Sequence, residues 1–443
     1  MNIKLSDHFS YKKLAVFCMP PVFMMIFTSI YGVVDGFFIS NFVGKLPFAA
    51  VNLVMPFLMI LGGVGFMIGT GGSALTAKYL GEGEKDRANR CFTMMILLTV
   101  ISGVVLSALG MIFIRPIVSL LGAGGEMADY CVTYGIVIMA FNTAFMLQNV
   151  FQTFFTTAEK PHLGLFFTLA AGFTNMALDA LFIAVFNWGV AGAALATGIS
   201  QCVGGILPVF YFCRPNGSLL KFRKTFIEGK TVLKACFNGS SELMSNISGS
   251  LVGMLYNFQL IRLAGENGVA AYGVLMYVQF IFIAVFIGYS IGTAPVISYN
   301  FGAANHTELK NILIKSLKIM LATGIAMTAA SNLLSAPLAK IFVGYDASLY
   351  EMTVHAFRIF SFAFILQGIN IFTSSFFTAL NNGAVSAAVS FLRTLVFQSS
   401  CVMTLPLISG LDGIWWAVAA AEVFAFLISA VFLFVYRKRY RYI

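Results

Sequence analysis

Charge is scarce in this chain: Asp, Glu, Lys and Arg together make up 10% of its 443 residues, while 59% are hydrophobic. A soluble domain carries about a quarter of its residues as charges, so a water-facing surface cannot be built from this composition. Histidine is rarer still. The four present, His8, His162, His306 and His355, are far apart, and no HExxH run, P-loop, zinc cluster or nucleophile elbow accompanies them. Metal-dependent or imidazole catalysis therefore has little to work with. The seven cysteines (Cys18, Cys91, Cys131, Cys202, Cys213, Cys236 and Cys401) include no CxxC or metal spacing and fall mostly in apolar segments, where they read as packing residues. Strict alternation of apolar and polar residues is also missing. Runs such as Phe92 to Phe113 are apolar on every face, which excludes a transmembrane β-barrel. A cleavable leader is not expected either, because Pro20-Pro21 interrupts the first apolar stretch and no small-residue cleavage site follows a short core.

What is present is hydrophobic sequence in helix-length pieces, with mean hydropathy +0.89. A bilayer core of about 30 Å needs about 20 helical residues, and such stretches follow one another from Leu14 to Tyr436. Only helices satisfy their own backbone in lipid without a closed barrel, so the expected fold is an all-α integral membrane protein. Breaks at Lys45 to Pro47, Gly81 to Arg90, Arg115 to Asp129, Glu159 to Pro161, Asn187 to Gly189 and Arg214 to Lys230 close six spans. Breaks at Gly265 to Gly268, Gly302 to Lys310, Lys340 to Glu351, Asn381 to Gly383 and Gly410 to Asp412 close five more, and the basic C-terminus closes the twelfth.

Basic residues favour the cytoplasmic side of short loops. With the N-terminus inside, twenty-two of the 27 Lys and Arg residues fall on the cytoplasmic side, and only Lys45, Arg115, Arg262, Lys340 and Arg358 fall outside. One missed span would invert everything after it and spoil that asymmetry. The expectation is a multi-pass protein of the cell membrane with both termini cytoplasmic. The net charge of +10 is spread over juxtamembrane loops without a compact basic domain, which suits anionic lipid headgroups and not nucleic acid.

The least apolar linker divides the chain near its middle, giving an N-terminal lobe of helices 1 to 6 (1–213), a linker (214–230) and a C-terminal lobe of helices 7 to 12 (231–443). An offset of 221 residues lays Gly44-Lys45-Leu46-Pro47-Phe48-Ala49-Ala50 over Gly265-Glu266-Asn267-Gly268-Val269-Ala270-Ala271 and Gly81 over Gly302. The same offset lays Gly192-Ala193-Ala194-Leu195-Ala196 over Gly413-Ile414-Trp415-Trp416-Ala417 and Gln201 over Glu422. Phe154-Phe155-Thr156 meets Phe376-Phe377-Thr378 one residue out of register. Six spans per half make the repeat parallel, related by a pseudo-two-fold axis along the membrane normal. Two such lobes around a cavity form an alternating-access scaffold.

Acids inside apolar spans are costly and point to function. Asp35 follows Val33-Val34 in span one, Asn175 and Asp179 share a face of span five at i and i+4, and Glu242 and Asn246 repeat that spacing in span seven. Glu422 lies deep in span twelve, with Arg393 of span eleven as its candidate partner. Most of the 46 Phe and 21 Met residues face lipid or pack helices, and some suit a cavity for flat organic cations.

These marks, with Gly81, Pro295 and the Gly192-Ala193-Ala194-Leu195-Ala196-Thr197 and Gly239-Ser240-Ser241-Glu242 runs, resemble the MATE family of multidrug and toxic compound extrusion transporters, bacterial efflux type, over nearly the whole chain. The resemblance implies a cation-coupling site at Asp35, Asn175, Asp179 and Thr197, joined from span four by Gln152 or Asn149, and a bend of the first helix at Pro20. Two carboxyls brought together in a low-dielectric site cannot both stay ionised without a cation between them, so the pair should hold H⁺ or Na⁺. Offset 221 puts Tyr256 opposite Asp35 and Ser400 opposite Asp179, so the second lobe lacks the pair; Glu242, Asn246 and Glu422 are its substrate or proton candidates. The reading is a secondary active antiporter, a monomer without cofactors, that exports organic cations or drugs from the cytoplasm on H⁺ or Na⁺ entry. The alternatives are a lipid-linked saccharide flippase on the same scaffold, which needs a strongly basic cavity, and an intramembrane enzyme or receptor.

Overall fold

The computed structural model describes residues 3–442, and among these the regular structure is helical throughout. Among the described residues, twelve helices, one of them a bent pair, are long and apolar enough to span a membrane once the break at Gly265 is counted. The first lobe holds α1 (Tyr11–Val43), α2 (Lys45–Gly81), α3 (Lys85–Leu120), α4 (Gly125–Thr157), α5 (Pro161–Val185) and α6 (Gly189–Cys213). The second holds α7 (229–264), α8 (266–302), α9 (His306–Val343), α10 (Ala347–Phe360 with Ala363–Ala379), α11 (Gly383–Ser409) and α12 (Leu411–Tyr440). An even number of spans puts both chain ends at one face, called here the terminal face.

Local chemistry sets the helix ends. Ser10, Asn305, Asp346 and Asn382 cap helix starts by accepting backbone N–H groups at Lys13, Glu308, Leu349 and Val385, and Pro161 opens α5, where its missing N–H costs nothing. The turns repeat between halves. Gly44 and its counterpart Gly265 have φ of 125° and 60°, while Gly189 and Gly410 have 59° and 58°, all in the region that glycine alone enters freely.

Two expected breaks are narrower than their charges suggested. Arg115 lies inside α3 and Lys340 inside α9, because a long basic side chain near a helix end reaches the interface without unwinding the backbone. Pro20 and Pro21 sit within a continuous α1. A sharp bend occurs in α10, which turns by 49° at Ser361-Phe362. Three spans also contain a widened stretch of i to i+5 turns, at Ile39–Val43, Ala180–Val185 and Leu392–Gln398. The second begins directly after Asp179, and the third contains Arg393.

The lobes meet through glycine. A Cβ on Gly71 of α2 would overlap the Ala235 carbonyl of α7, and one on Gly239 would overlap the Met67 carbonyl of α2. A Cβ on Gly81 would strike the Tyr299 carbonyl, and one on Gly302 the Lys78 carbonyl. Gly292 in turn receives Cys18 of α1. These contacts obey the 221-residue offset: Gly71 against Gly239 becomes Gly292 against Cys18, and Gly81 against Tyr299 becomes Gly302 against Lys78. All lie in the halves of α1, α2, α7 and α8 nearer the terminal face, where missing side chains let backbones touch.

Residues ahead of α1 strap that face. The Leu5 N–H donates to Glu159 Oε1 in the first lobe (2.6 Å), while Asn300 of the second lobe donates to the Leu5 carbonyl (3.4 Å). Glu308 accepts from the Phe9 N–H (2.9 Å) and Asn311 Nδ2 (2.7 Å) and meets His8 Nδ1 at 2.7 Å, and Lys315 Nζ donates to the Phe9 carbonyl (2.7 Å). The inter-lobe linker lies extended along α3, with Lys221 N–H on Asn89 Oδ1 and Arg223 N–H on Thr93 Oγ1.

Candidate functional site

Three helices of the first lobe converge on two acids. Asp35 is carried by α1 four residues before its widened turn, Asp179 closes the regular part of α5, and Thr197 lies on α6. The side chains of Asp35 and Asp179 adjoin one another, and Thr197 adjoins Asp35. Asp35 is 7% exposed and Asp179 fully buried. Asn175, one turn before Asp179, donates from Nδ2 to Thr197 Oγ1 (3.4 Å), and its carbonyl oxygen is buried without a donor. Asp35 Oδ1, both Asp179 oxygens and Asn175 Oδ1 are buried without a protein donor. Unpaired buried acceptors are expensive, and here several collect at one place. A set of carboxylate, amide and hydroxyl oxygens is the chemistry of a hard cation or a proton.

Two tyrosines lie beside the site. Tyr31, one turn before Asp35, adjoins Gln148 of α4 and Asp35, and the buried Tyr134 lies near both acids. Tyr31 was not among the residues expected from the sequence, although its spacing of four from Asp35 places it on the same face of α1. On span four Gln148 is the residue that meets Tyr31, whereas Gln152, one turn along, is buried with an unpartnered Oε1 and no hydrogen bond to either acid. Asn149 donates to the Gly62 carbonyl of α2 (3.4 Å), so it ties helices together. Nothing in the sequence of α4 separates these three amides, because their spacing differs by only one turn of helix.

In the second lobe, Tyr256 occupies the place of Asp35 and stacks on Tyr272, with ring centroids 4.9 Å apart. Glu422, fully buried on α12, is held by Arg393, whose Nε lies 2.9 Å from Oε1 and 3.1 Å from Oε2 and whose second nitrogen contact to Oε1 is 2.9 Å. Asn370 of α10 completes the cluster by donating to Glu422 Oε2 (2.7 Å) and to its backbone carbonyl (2.9 Å). Arg393 therefore sits mid-span and does not belong among the basic residues near the terminal face. Glu242 and Asn246 are elsewhere. Asn246 donates to the Glu242 carbonyl (2.9 Å), and its side chain faces Gly63 of α2 where the lobes meet.

The MatE family model matches residues 20–181 and again residues 243–401, one match in each half and most of the chain in total. The chain belongs to the MATE family. MATE members are transporters and not enzymes. Similar proteins include the Multidrug export protein MepA of Staphylococcus saprophyticus, 24% identical over 434 residues, which are 97% of this chain and 94% of that protein. The MepA of Staphylococcus aureus is 22% identical over 431 residues with the same coverage. Among solved structures, a MATE protein in complex with MaL6 has TM-score 0.90 at 23% identity, covering 98% of this chain and 97% of that one. A MOP superfamily transporter from Pyrococcus furiosus has TM-score 0.87 at 22% identity, covering 97% of each chain. The likeness establishes the MATE fold of twelve helices in two lobes.

Proposed function

We propose that the chain is a secondary active antiporter that exports organic cations or drugs across the cell membrane against an inward flow of H⁺ or Na⁺. The observation that carries this reading is the juxtaposition of Asp35 and Asp179, two buried acids without protein counterions, in the half of the first lobe away from the terminal face. With the basic loops on the cytoplasmic side, the two acids lie in the outer half of the first lobe, while the glycine contacts join the lobes in the inner half. Similarity to proteins named for multidrug export supports the direction of transport.

In the cycle, a cation arriving from outside settles between the two carboxyls and neutralises them. That draws α1 toward α5 and α6, alters the inner half of α1 where it packs on α8, and loosens the lobes so that substrate exchanges sides. The driving force is the difference in ion affinity between the two states. The flippase alternative requires a basic cavity, and Arg393 of the second lobe is already neutralised by Glu422.

The test is simultaneous measurement of substrate and ion fluxes in proteoliposomes. Export of a fluorescent organic cation should be accompanied by H⁺ or Na⁺ moving the other way. Substrate movement with neither counterflow refutes antiport.

A further inference from the structure

The second lobe is not free of buried charge, and its charge is arranged differently from that of the first. Glu422 takes the place of Gln201 in the repeat, Asn370 that of Asn149, and Arg393 that of Gly172. In the first lobe, the Gly172 position on α5 is where the rings of Phe27 and Tyr31 pack, and a Cβ there would overlap Phe27. Where the first lobe is bare, the second carries a guanidinium on a widened turn, pointed at a carboxylate. The groups bonded to Glu422 are Arg393 from α11 and Asn370 from α10, and the phenol of Tyr256 from α7 lies in the same neighbourhood without bonding to it.

We propose that Arg393 is a resident counter-cation that keeps Glu422 out of ion exchange, so that ion coupling is confined to the first lobe and the number of ions moved per cycle is set by one site. Arginine does not release its proton in proteins, and its planar fork engages both oxygens of the carboxylate. An incoming H⁺ or Na⁺ would have to evict a guanidinium into an apolar interior, which costs far more than binding a monovalent ion returns. The materials of a cation site are otherwise present. Asn370 Oδ1 and the Tyr256 hydroxyl are buried without partners, so removing the guanidinium leaves an uncompensated carboxylate in a neighbourhood that also holds an amide oxygen and a phenol. That set resembles the Asp179, Asn175 and Tyr134 group of the first lobe. This inference rests on the reading of Asp35 and Asp179 as the coupling site.

The test counts cations bound by the full-length protein in nanodiscs, by ²²Na⁺ binding at neutral pH and by proton uptake on acidification. Arg393→Met should bind one more cation per protein than the wild type, and Arg393→Met/Glu422→Gln should return to the wild-type count. Arg393→Lys should match the wild type. The proposal is overturned if Arg393→Met binds no additional cation, or if the neutral double variant binds fewer ions than the wild type. The double variant leaves no unpaired buried charge, so it remains informative if Arg393→Met does not fold. Asp35→Asn separates the two readings: it should remove the wild-type ion while the Arg393→Met gain persists in its background. If Asp35→Asn loses no ion, the first-lobe reading fails, and the Arg393→Met count still decides the role of Arg393.

Discussion

Asp179 ends the regular part of its helix, and Asn175 lies one turn behind it with its amide nitrogen committed to Thr197. That bond fixes the Asn175 amide and makes Thr197 a candidate positioning residue as well as a candidate ligand. Thr197→Val removes one oxygen and frees the amide to turn. The apparent ion affinity in transport should fall about tenfold, the scale of a hydrogen bond worth about 1.4 kcal/mol, while maximal efflux at saturating ion is retained. An ion titration of the efflux rate checks this. Asp35 and Asp179 stood out in the sequence because a carboxyl in an apolar span has no cheap structural use, and Asn175 through its i, i+4 spacing from Asp179. Gln148, Tyr134 and Asn370 were not, since Gln, Asn and Tyr also serve as interhelical glue and only their neighbours distinguish the roles.

At the scale of elements, the strap before α1 joins both lobes on the terminal face, through Glu159 in one and Glu308 in the other. Glu308→Ala leaves the Phe9 N–H and Asn311 without their acceptor, a loss of roughly 1–3 kcal/mol. Hydrogen exchange at residues 5–10 should quicken accordingly. Glu159 lies in the loop before α5, and burial pushes its pKa above the ordinary carboxylate range, partly offset by the Leu5 N–H. For an acid shifted upward, the docked form is favoured below the ordinary value of about 4.3 and loses that advantage as pH rises through the raised value. Strap protection should therefore weaken as pH climbs through that window. Glu159→Gln, which keeps an acceptor without a charge, should remove the dependence. None of this was visible in the sequence, where residues 3–10 carry no motif that marks a docked segment. Its contacts are to residues some 150 to 300 positions away, which no local pattern encodes.

For the whole molecule, the repeat that lays Gly81 over Gly302 in the sequence also governs how the lobes touch. The glycines are there because backbone must approach backbone, and that was legible only as a coincidence of register. Gly239→Leu forces a side chain into the α2 backbone and should shift the population toward a state open at the terminal face. Spin labels on the ends of α2 and α8 should report a longer distance, whereas an unchanged distance would mean that the glycine contact does not hold the lobes together. The twelve spans were readable from hydropathy. The bend in α10 was not, because no proline marks it and only tertiary packing distinguishes Ser361-Phe362 from a straight turn.

The central claim is that Asp35 and Asp179 act together as the ion switch of a transporter. Its most direct test is efflux of a fluorescent organic cation from vesicles under imposed H⁺ or Na⁺ gradients, comparing the wild type with Asp35→Asn and Asp179→Asn. The account predicts that each variant loses gradient-driven efflux to near background while still binding substrate. Full gradient-driven efflux in both variants would contradict it.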